Sequence, residues 1–156
     1  MSFISGMHHV STLTADMDRL IAFYERVLDT SVVLDMEEEG LRHAFIPLGP
    51  TTLLHPFEIP GIDVPQGELP MFERGRIDHI ALIATDEAAF WEVRRRVIAE
   101  GAGTGEVTDF GPHYGLSLLD PDGLWLEVVW IKPGAPFDAT STRANWRTVE
   151  PTVSIP

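Results

Sequence analysis

The sequence predicts an α+β protein made of two βαβββ halves, and three observations carry that expectation. First, the run Met7-His8-His9-Val10-Ser11-Thr12-Leu13-Thr14-Ala15-Asp16 is matched in pattern by Ile77-Asp78-His79-Ile80-Ala81-Leu82-Ile83-Ala84-Thr85-Asp86. His9 to His79 and Asp16 to Asp86 are both steps of 70 residues, and self-similarity at a fixed offset is the mark of a repeated structural unit. Second, each copy begins as a β-rich run at a His and ends in a polar helix-start signal followed by an amphipathic stretch. Third, each such helix is followed by three more strand-like runs.

In the first half, Asp16 is a good N-cap type. Leu20, Phe23, Tyr24, Val27 and Leu28 then recur at helical spacing and form one apolar stripe. Strands are expected at Ser31–Leu34, Leu41–Pro47 and Thr51–Phe57, with Leu48-Gly49-Pro50 as a turn before the last. In the second half a helix is expected from Thr85 or Asp86 to about Glu100. Phe90, Val93, Val97 and Ile98 would face inward and Arg94-Arg95-Arg96 would be mostly solvated, and Gly101 and Gly103 would stop the helix. Strands follow around Glu106-Val107-Thr108, at Gly115–Leu119 and at Leu124–Ile131, the last preceded by the turn Asp120-Pro121-Asp122-Gly123. Residues 1–131 thus form one domain, with module 1 at about 7–58, a Pro- and Gly-rich linker at 59–76 and module 2 at about 77–131. The Pro-, Thr- and Ser-rich residues 132–156 read as an irregular tail that Phe137 and Trp146 could anchor on a surface.

Composition narrows the partners. The chain has 156 residues and a formal net charge of −13. An acidic surface repels phosphate backbones and anionic lipid, so neither nucleic acid nor membrane is expected as a partner. No apolar run approaches the ~18 residues of a membrane span. No secretory signal is visible at the N-terminus, and a cytoplasmic location is expected. The sequence contains no Cys, so disulfides, thiolate nucleophiles and Cys-ligated metal are excluded, and any metal must be held by His and carboxylate.

Side chains alternate across a strand, so His9, Ser11 and Leu13 share a face, as do His79, Ala81 and Ile83. Glu127 stands inside the apolar run Leu124–Trp130, where a carboxylate is costly to bury unless it is paired or bound to a cation. Together His9, His79 and Glu127 make a 2-His-1-carboxylate set, the non-haem Fe(II) pattern, also compatible with Mn(II), Zn(II) or Ni(II). The alternative for Glu127 is a partner for Arg or a backbone amide, and for a strand His a hydrogen-bonded core or rim position. His113-Tyr114 is the candidate for proton transfer beside such a metal, unless Gly111–Gly115 is only a turn with an exposed His. Trp125 and Phe57 could stack on a flat substrate or serve as core. His8 and His43 are assigned to the surface or to supporting positions.

These residues resemble the vicinal oxygen chelate superfamily, which includes glyoxalase I, methylmalonyl-CoA epimerase, extradiol dioxygenases and the fosfomycin and bleomycin resistance proteins. The resemblance rests on His8-His9-Val10 before a helix containing Phe23-Tyr24, on Asp78-His79-Ile80-Ala81-Leu82, and on Asp120-Pro121-Asp122-Gly123 with Glu127 four residues on, and covers residues 7–131. It implies two βαβββ modules forming a cupped mixed sheet around a metal site, with His9, His79 and Glu127 as ligands. It further implies a small-molecule substrate with two neighbouring oxygens, and a homodimer. Relatives with four protein ligands carry a Glu or Gln in the last strand of module 1. Counting from Gly49, that place falls on Thr52, Leu53 or Leu54, with His55 the nearest candidate ligand. Three ligands favour dioxygenase-like chemistry with Fe(II), although Ser117 stands where the extradiol signature has Tyr. A glyoxalase- or epimerase-like lyase or isomerase is the alternative, and a non-enzymatic small-molecule (drug) binder is a further one.

Overall fold

The computed structural model describes residues 3, 5–64, 69–139 and 141–149. Residues 65–68 of the expected linker, residues 140 and 150–156 of the expected tail, and residues 1, 2 and 4 lie outside the described residues. The described residues fall into two compact units, one of those up to residue 64 with 120–123 and the other of those in 69–119 with 124–149.

Unit 1 contains β1 (His9–Leu13), α1 (Met17–Leu28), β2 (Leu34–Glu38), β3 (Leu41–Pro47) and β4 (Leu53–Glu58) in a sheet of order β1-β4-β3-β2. Strand β1 runs parallel to β4, while the β4–β3 and β3–β2 pairs are antiparallel. The helix starts where expected: the Asp16 carboxylate caps it by accepting from the Arg19 amide at 2.9 Å. It ends at Asp29, whose N–H still reaches the Glu25 carbonyl at 3.1 Å and whose left-handed backbone (φ 56°) turns the chain out of the helix. Met17, Leu20, Phe23, Tyr24 and Val27 are buried, and α1 packs on β3 and β4, where Ala44, Ile46 and Leu54 are buried too. The Asp-Pro-Asp-Gly turn groups with this unit. Tyr24 donates to Asp120 Oδ2 at 3.1 Å, and Arg19 pairs with Asp122 at 2.5 Å. Strand β2 begins at Leu34 rather than Ser31. Val33 N–H still reaches the Phe45 carbonyl of β3 at 2.9 Å, and pairing with β3 carries the strand on through Asp35–Glu38, where tertiary register overrides a low β propensity.

Unit 2 repeats the plan with β5 (Ile80–Ile83), α2 (Glu87–Glu100), β6 (Val107–Asp109), β7 (His113–Leu119) and β8 (Trp125–Ile131). Asp86 caps α2 by accepting from the Ala89 amide at 2.8 Å, and Gly101 (φ 67°) closes it in the left-handed region. Phe90 and Val97 are buried, but Ile98 is 46% exposed and not inward as expected, because the helix ends just beyond it. A ninth strand, β9 (Arg147–Val149), extends the sheet to β5-β8-β7-β6-β9. Part of the segment expected to be an irregular tail is therefore a paired strand. Three residues are too few to show periodicity, and its order comes from the β6 edge it completes. Among the described residues no helix is long and apolar enough to cross a membrane.

Candidate functional site

A cavity of about 520 Å³ opens in unit 2, lined by Arg74, His79, His113, Ser117 and Glu127 among aromatic side chains. His79 immediately precedes β5. Its Nδ1 lies 2.9 Å from Asp78 Oδ1 and its Nε2 lies 3.6 Å from Glu127 Oε2. Asp78 also accepts from the Phe72 amide at 2.6 Å and from Arg74 Nη1 at 3.1 Å. The bonds from His79 and from the Phe72 amide hold its carboxyl below the usual aspartate range, so it stays an acceptor. The Asp78 carboxylate is placed to accept from His79 Nδ1, which turns Nε2 toward Glu127.

Glu127 lies on β8 opposite Ser117 of β7. Burial pushes its carboxyl up, and the nearby imidazoles of His79 and His113 oppose that rise. Its place depends on Gly115: a Cβ there would collide with Glu127 Oε1 and come within 2.6 Å of the Phe110 ring. Nothing in the sequence alone marked Gly115, because the collision arises across strands. His113, the first residue of β7, joins the cavity. Tyr114 does not. Alternation along β7 sends it to the other face, where its ring lies 6.1 Å from Phe90 and from Trp91 and 5.3 Å from Trp130. Trp125 lines the cavity, with the Arg74 guanidinium 4.1 Å from its ring centre.

Unit 1 places His9 on a face of aromatic and imidazole rings. The His9 ring is 5.3 Å from that of His55, and His43 Nδ1 is 3.1 Å from His55 Nε2. Phe57, the other stacking candidate, lies 4.2 Å from His55 and stacks on His43 at 5.6 Å. Burial, reinforced by His43 and His9, holds the His55 imidazole below its ordinary pKa. His8 Nδ1 contacts His9 Nδ1 at 2.8 Å.

Strand register exposes an equivalence that counting through turns does not. In unit 1, Ser11 of β1 pairs with His55 of β4; in unit 2, Ala81 of β5 pairs with Glu127 of β8. Ser11 and Ala81 are equivalent positions of the 70-residue repeat. His55 therefore occupies in unit 1 the place that Glu127 occupies in unit 2.

The donor chemistry suits a divalent cation: an imidazole whose far nitrogen is held by a carboxylate, facing a half-buried carboxylate. A donor separation of 3.6 Å is also what two ligands each about 2 Å from one ion can have. His79 and Glu127 form a pair rather than a closed site, and no group of three or more His, Asp or Glu side chains arranged to hold a metal occurs among the described residues.

A chain of two βαβββ units, each presenting a His at the start of its first strand, has the build of the vicinal oxygen chelate fold. The chain belongs to the glyoxalase/bleomycin resistance protein/dioxygenase superfamily, whose sequence pattern matches residues 6–128. Comparison with curated proteins gives no match. Among solved structures, the chain is similar to a glyoxylase/bleomycin resistance protein/dioxygenase domain from Frankia sp. EAN1pec. Identity is 21%, coverage is 84% of this chain and 95% of that one, and the TM-score is 0.69. It is similar to the fosfomycin resistance protein FosX of Listeria monocytogenes, solved with Mn(II) and sulfate, at 16% identity over 85% and 98% of the two chains, TM-score 0.62. It is also similar to the trypanothione-dependent glyoxalase I of Leishmania major, at 21% identity over 81% and 86%, TM-score 0.57. At these identities the likeness establishes the fold.

Proposed function

We propose that this chain is a divalent-metal-dependent enzyme that takes a small-molecule substrate through two neighbouring oxygens, with dioxygenase-like chemistry on His9, His79 and Glu127. The observation that supports it most is the line from Asp78 through the His79 ring to Glu127, with contacts of 2.9 and 3.6 Å. Fe(II) is the favoured metal on the His and carboxylate set, with Mn(II), Zn(II) or Ni(II) as alternatives. When bound, the metal supplies positive charge against the negative charge that develops on substrate oxygens. The chain's own residues do the rest. Asp78 keeps the proton on His79 Nδ1 and so fixes the ring. His113, which lines the same cavity, takes or returns a proton at a substrate oxygen. Trp125 and Phe110 give the cavity an aromatic wall.

The position of His55 favours a second reading. A fourth protein ligand at the place equivalent to Glu127 would suit a glyoxalase- or epimerase-like lyase or isomerase, and the FosX relative with Mn(II) shows that the fold accepts a divalent ion. The proposal includes a homodimer in the cytoplasm. The edge strands β1 and β5 expose Leu13 and Ile83, apolar side chains of the kind a second copy covers.

Metal analysis of anaerobically purified protein, with Fe(II) and Mn(II) titration of the parent and of Glu127→Ala, tests the reading. One divalent ion per site is expected, with a loss in the variant beyond the roughly 10–100-fold that outer-shell changes cost. Metal-free protein together with unchanged affinity in Glu127→Ala would sink it. Oxygen consumption with catechols, set against the effect of His55→Ala on isomerisation, separates the two chemistries.

A further inference from the structure

Residues 141–149 lie beyond the region matched by the family pattern, which ends at 128, yet they are built into unit 2. Strand β9 completes the sheet by pairing Val107 with Val149, Thr108 with Thr148 and Asp109 with Arg147. Ser141 Oγ donates to the Phe110 carbonyl, and Gly111 leaves room for it, since a Cβ there would stand 3.2 Å from the Ser141 side chain. Both attachments flank Phe110. Between them Trp146 meets the Phe110 ring edge-on, with centres 4.7 Å apart and planes at 79°, and it lines the same cavity as His79 and Glu127.

We propose that this C-terminal segment is a specificity element, which uses Trp146 to give the cavity an added aromatic wall selecting a flat aromatic substrate larger than a single ring. The inference deepens the function proposed above and rests on it for placing the substrate in this cavity. Four observations support it. Phe110, Trp125 and Trp146 all line the space, and the first two reach it from the strands or loops nearest Glu127. Phe110 lies 5.0 Å from the His113 ring, so one side of the space is a continuous row of π systems, the arrangement in which offset or edge-on contact with a further ring is favourable. The Arg74 guanidinium lies over the Trp125 ring, 4.1 Å from its centre, and adds a cationic group of the kind that aromatic rings attract. Trp146 is 38% exposed, which leaves indole surface for a ligand to cover. Size sets the lower bound. A cavity of about 520 Å³ falls in the range that encloses drug-sized molecules and is far larger than one six-membered ring needs.

The test uses the full chain stripped of metal with EDTA and two probes that both carry vicinal oxygens, 2,3-dihydroxynaphthalene and hydroxyacetone. Affinities are read by calorimetry, and thermal melts confirm that each variant is folded. The parent should bind the naphthalene diol at least tenfold more tightly than hydroxyacetone. Trp146→Ala should weaken the diol by about tenfold, as expected for a lost aromatic contact with its buried area. Trp146→Phe should restore most of that loss, and neither variant should change hydroxyacetone binding. An unchanged diol affinity in Trp146→Ala overturns the proposal, and so does an equal loss for both probes, which would assign Trp146 a purely structural part. The metal plays no role in these measurements. Failure of the metal reading therefore shows in the Glu127→Ala titration and failure of the specificity element shows here.

Discussion

Gly115 is the position where one methyl group should do the most damage to the candidate site. A Cβ at 115 would stand 2.6 Å from Phe110 Cε2 and would collide with Glu127 Oε1, whereas ordinary contact begins at 3.4 Å. The Phe110 ring must therefore retreat by about 0.8 Å, or the Glu127 carboxyl must leave its place. Gly115 itself is buried, and overpacking of this kind costs about 1–3 kcal/mol. For a chain of this length each kcal/mol lowers the melting temperature by roughly 2–4 °C, so Gly115→Ala should melt about 2–12 °C below the parent. Differential scanning calorimetry of the metal-free protein reads this directly. Second changes that shorten either neighbour relieve the clash. Glu127→Asp withdraws the carboxylate by one methylene, and Phe110→Leu removes the ring. Each should show a favourable coupling with Gly115→Ala of about 0.5–3 kcal/mol in a double-mutant cycle. A Gly115→Ala protein that melts with the parent, or double variants whose effects simply add, would mean that neither Phe110 nor Glu127 crowds position 115.

Two further outcomes follow from the same contacts. Tyr24 is fully buried and donates to the buried Asp120 carboxylate at 3.1 Å. Removing that hydroxyl in Tyr24→Phe should cost about 1.5–3 kcal/mol, the range for hydrogen bonds to charged groups, and lower the melting temperature by roughly 3–12 °C; a denaturant midpoint equal to the parent's would contradict it. Burial raises the Glu127 pKa in the folded chain, so its contribution to the stability of the metal-free protein is present below the unfolded-state value and is lost as pH rises through the folded one. Glu127→Gln should remove that pH dependence, and parallel stability curves for parent and variant from pH 4 to 8 would show the cause to be wrong.

The repeat, the helix starts and the pairing of faces were legible because they depend on local chemistry. Asp16 and Asp86 are N-caps whatever surrounds them, and each accepts from the amide three residues on. The alternation that puts His9 and Ser11 on one face is a property of any strand. Tyr114 shows where the same rule was available but needed a boundary. Read as a turn, His113-Tyr114 looks like two neighbours serving one site; once β7 is seen to begin at His113, alternation separates them.

His55 shows the deeper limit. The step from Ser11 to Ala81 is 70 residues, but the step from His55 to Glu127 is 72. The extra two residues lie in the second helix, which has 14 residues against 12 in α1, so the helix ends Asp29 and Gly101 already stand 72 apart. Thr51 and not Gly49 is the counterpart of Gly123, and a count from Gly49 therefore stops short of His55. A helical crossover can grow by two residues without changing how the strands it joins are paired. The parallel pairing itself cannot slip, because a shift of one residue would turn every side chain of the strand to the other face. Equivalence between the two halves is therefore kept by hydrogen-bond register and not by sequence distance. In each half the amide after β1 or β5 returns to the last strand at matching places, Thr14 to the Phe57 carbonyl at 2.9 Å and Ala84 to the Val129 carbonyl at 2.8 Å. Phe57 and Val129 stand two residues beyond His55 and Glu127 respectively, so this second pair of bonds reaches the same alignment independently. An imidazole facing His9 in one half and a carboxylate facing His79 in the other are thus two versions of one position, and the asymmetry between them is chemical rather than topological.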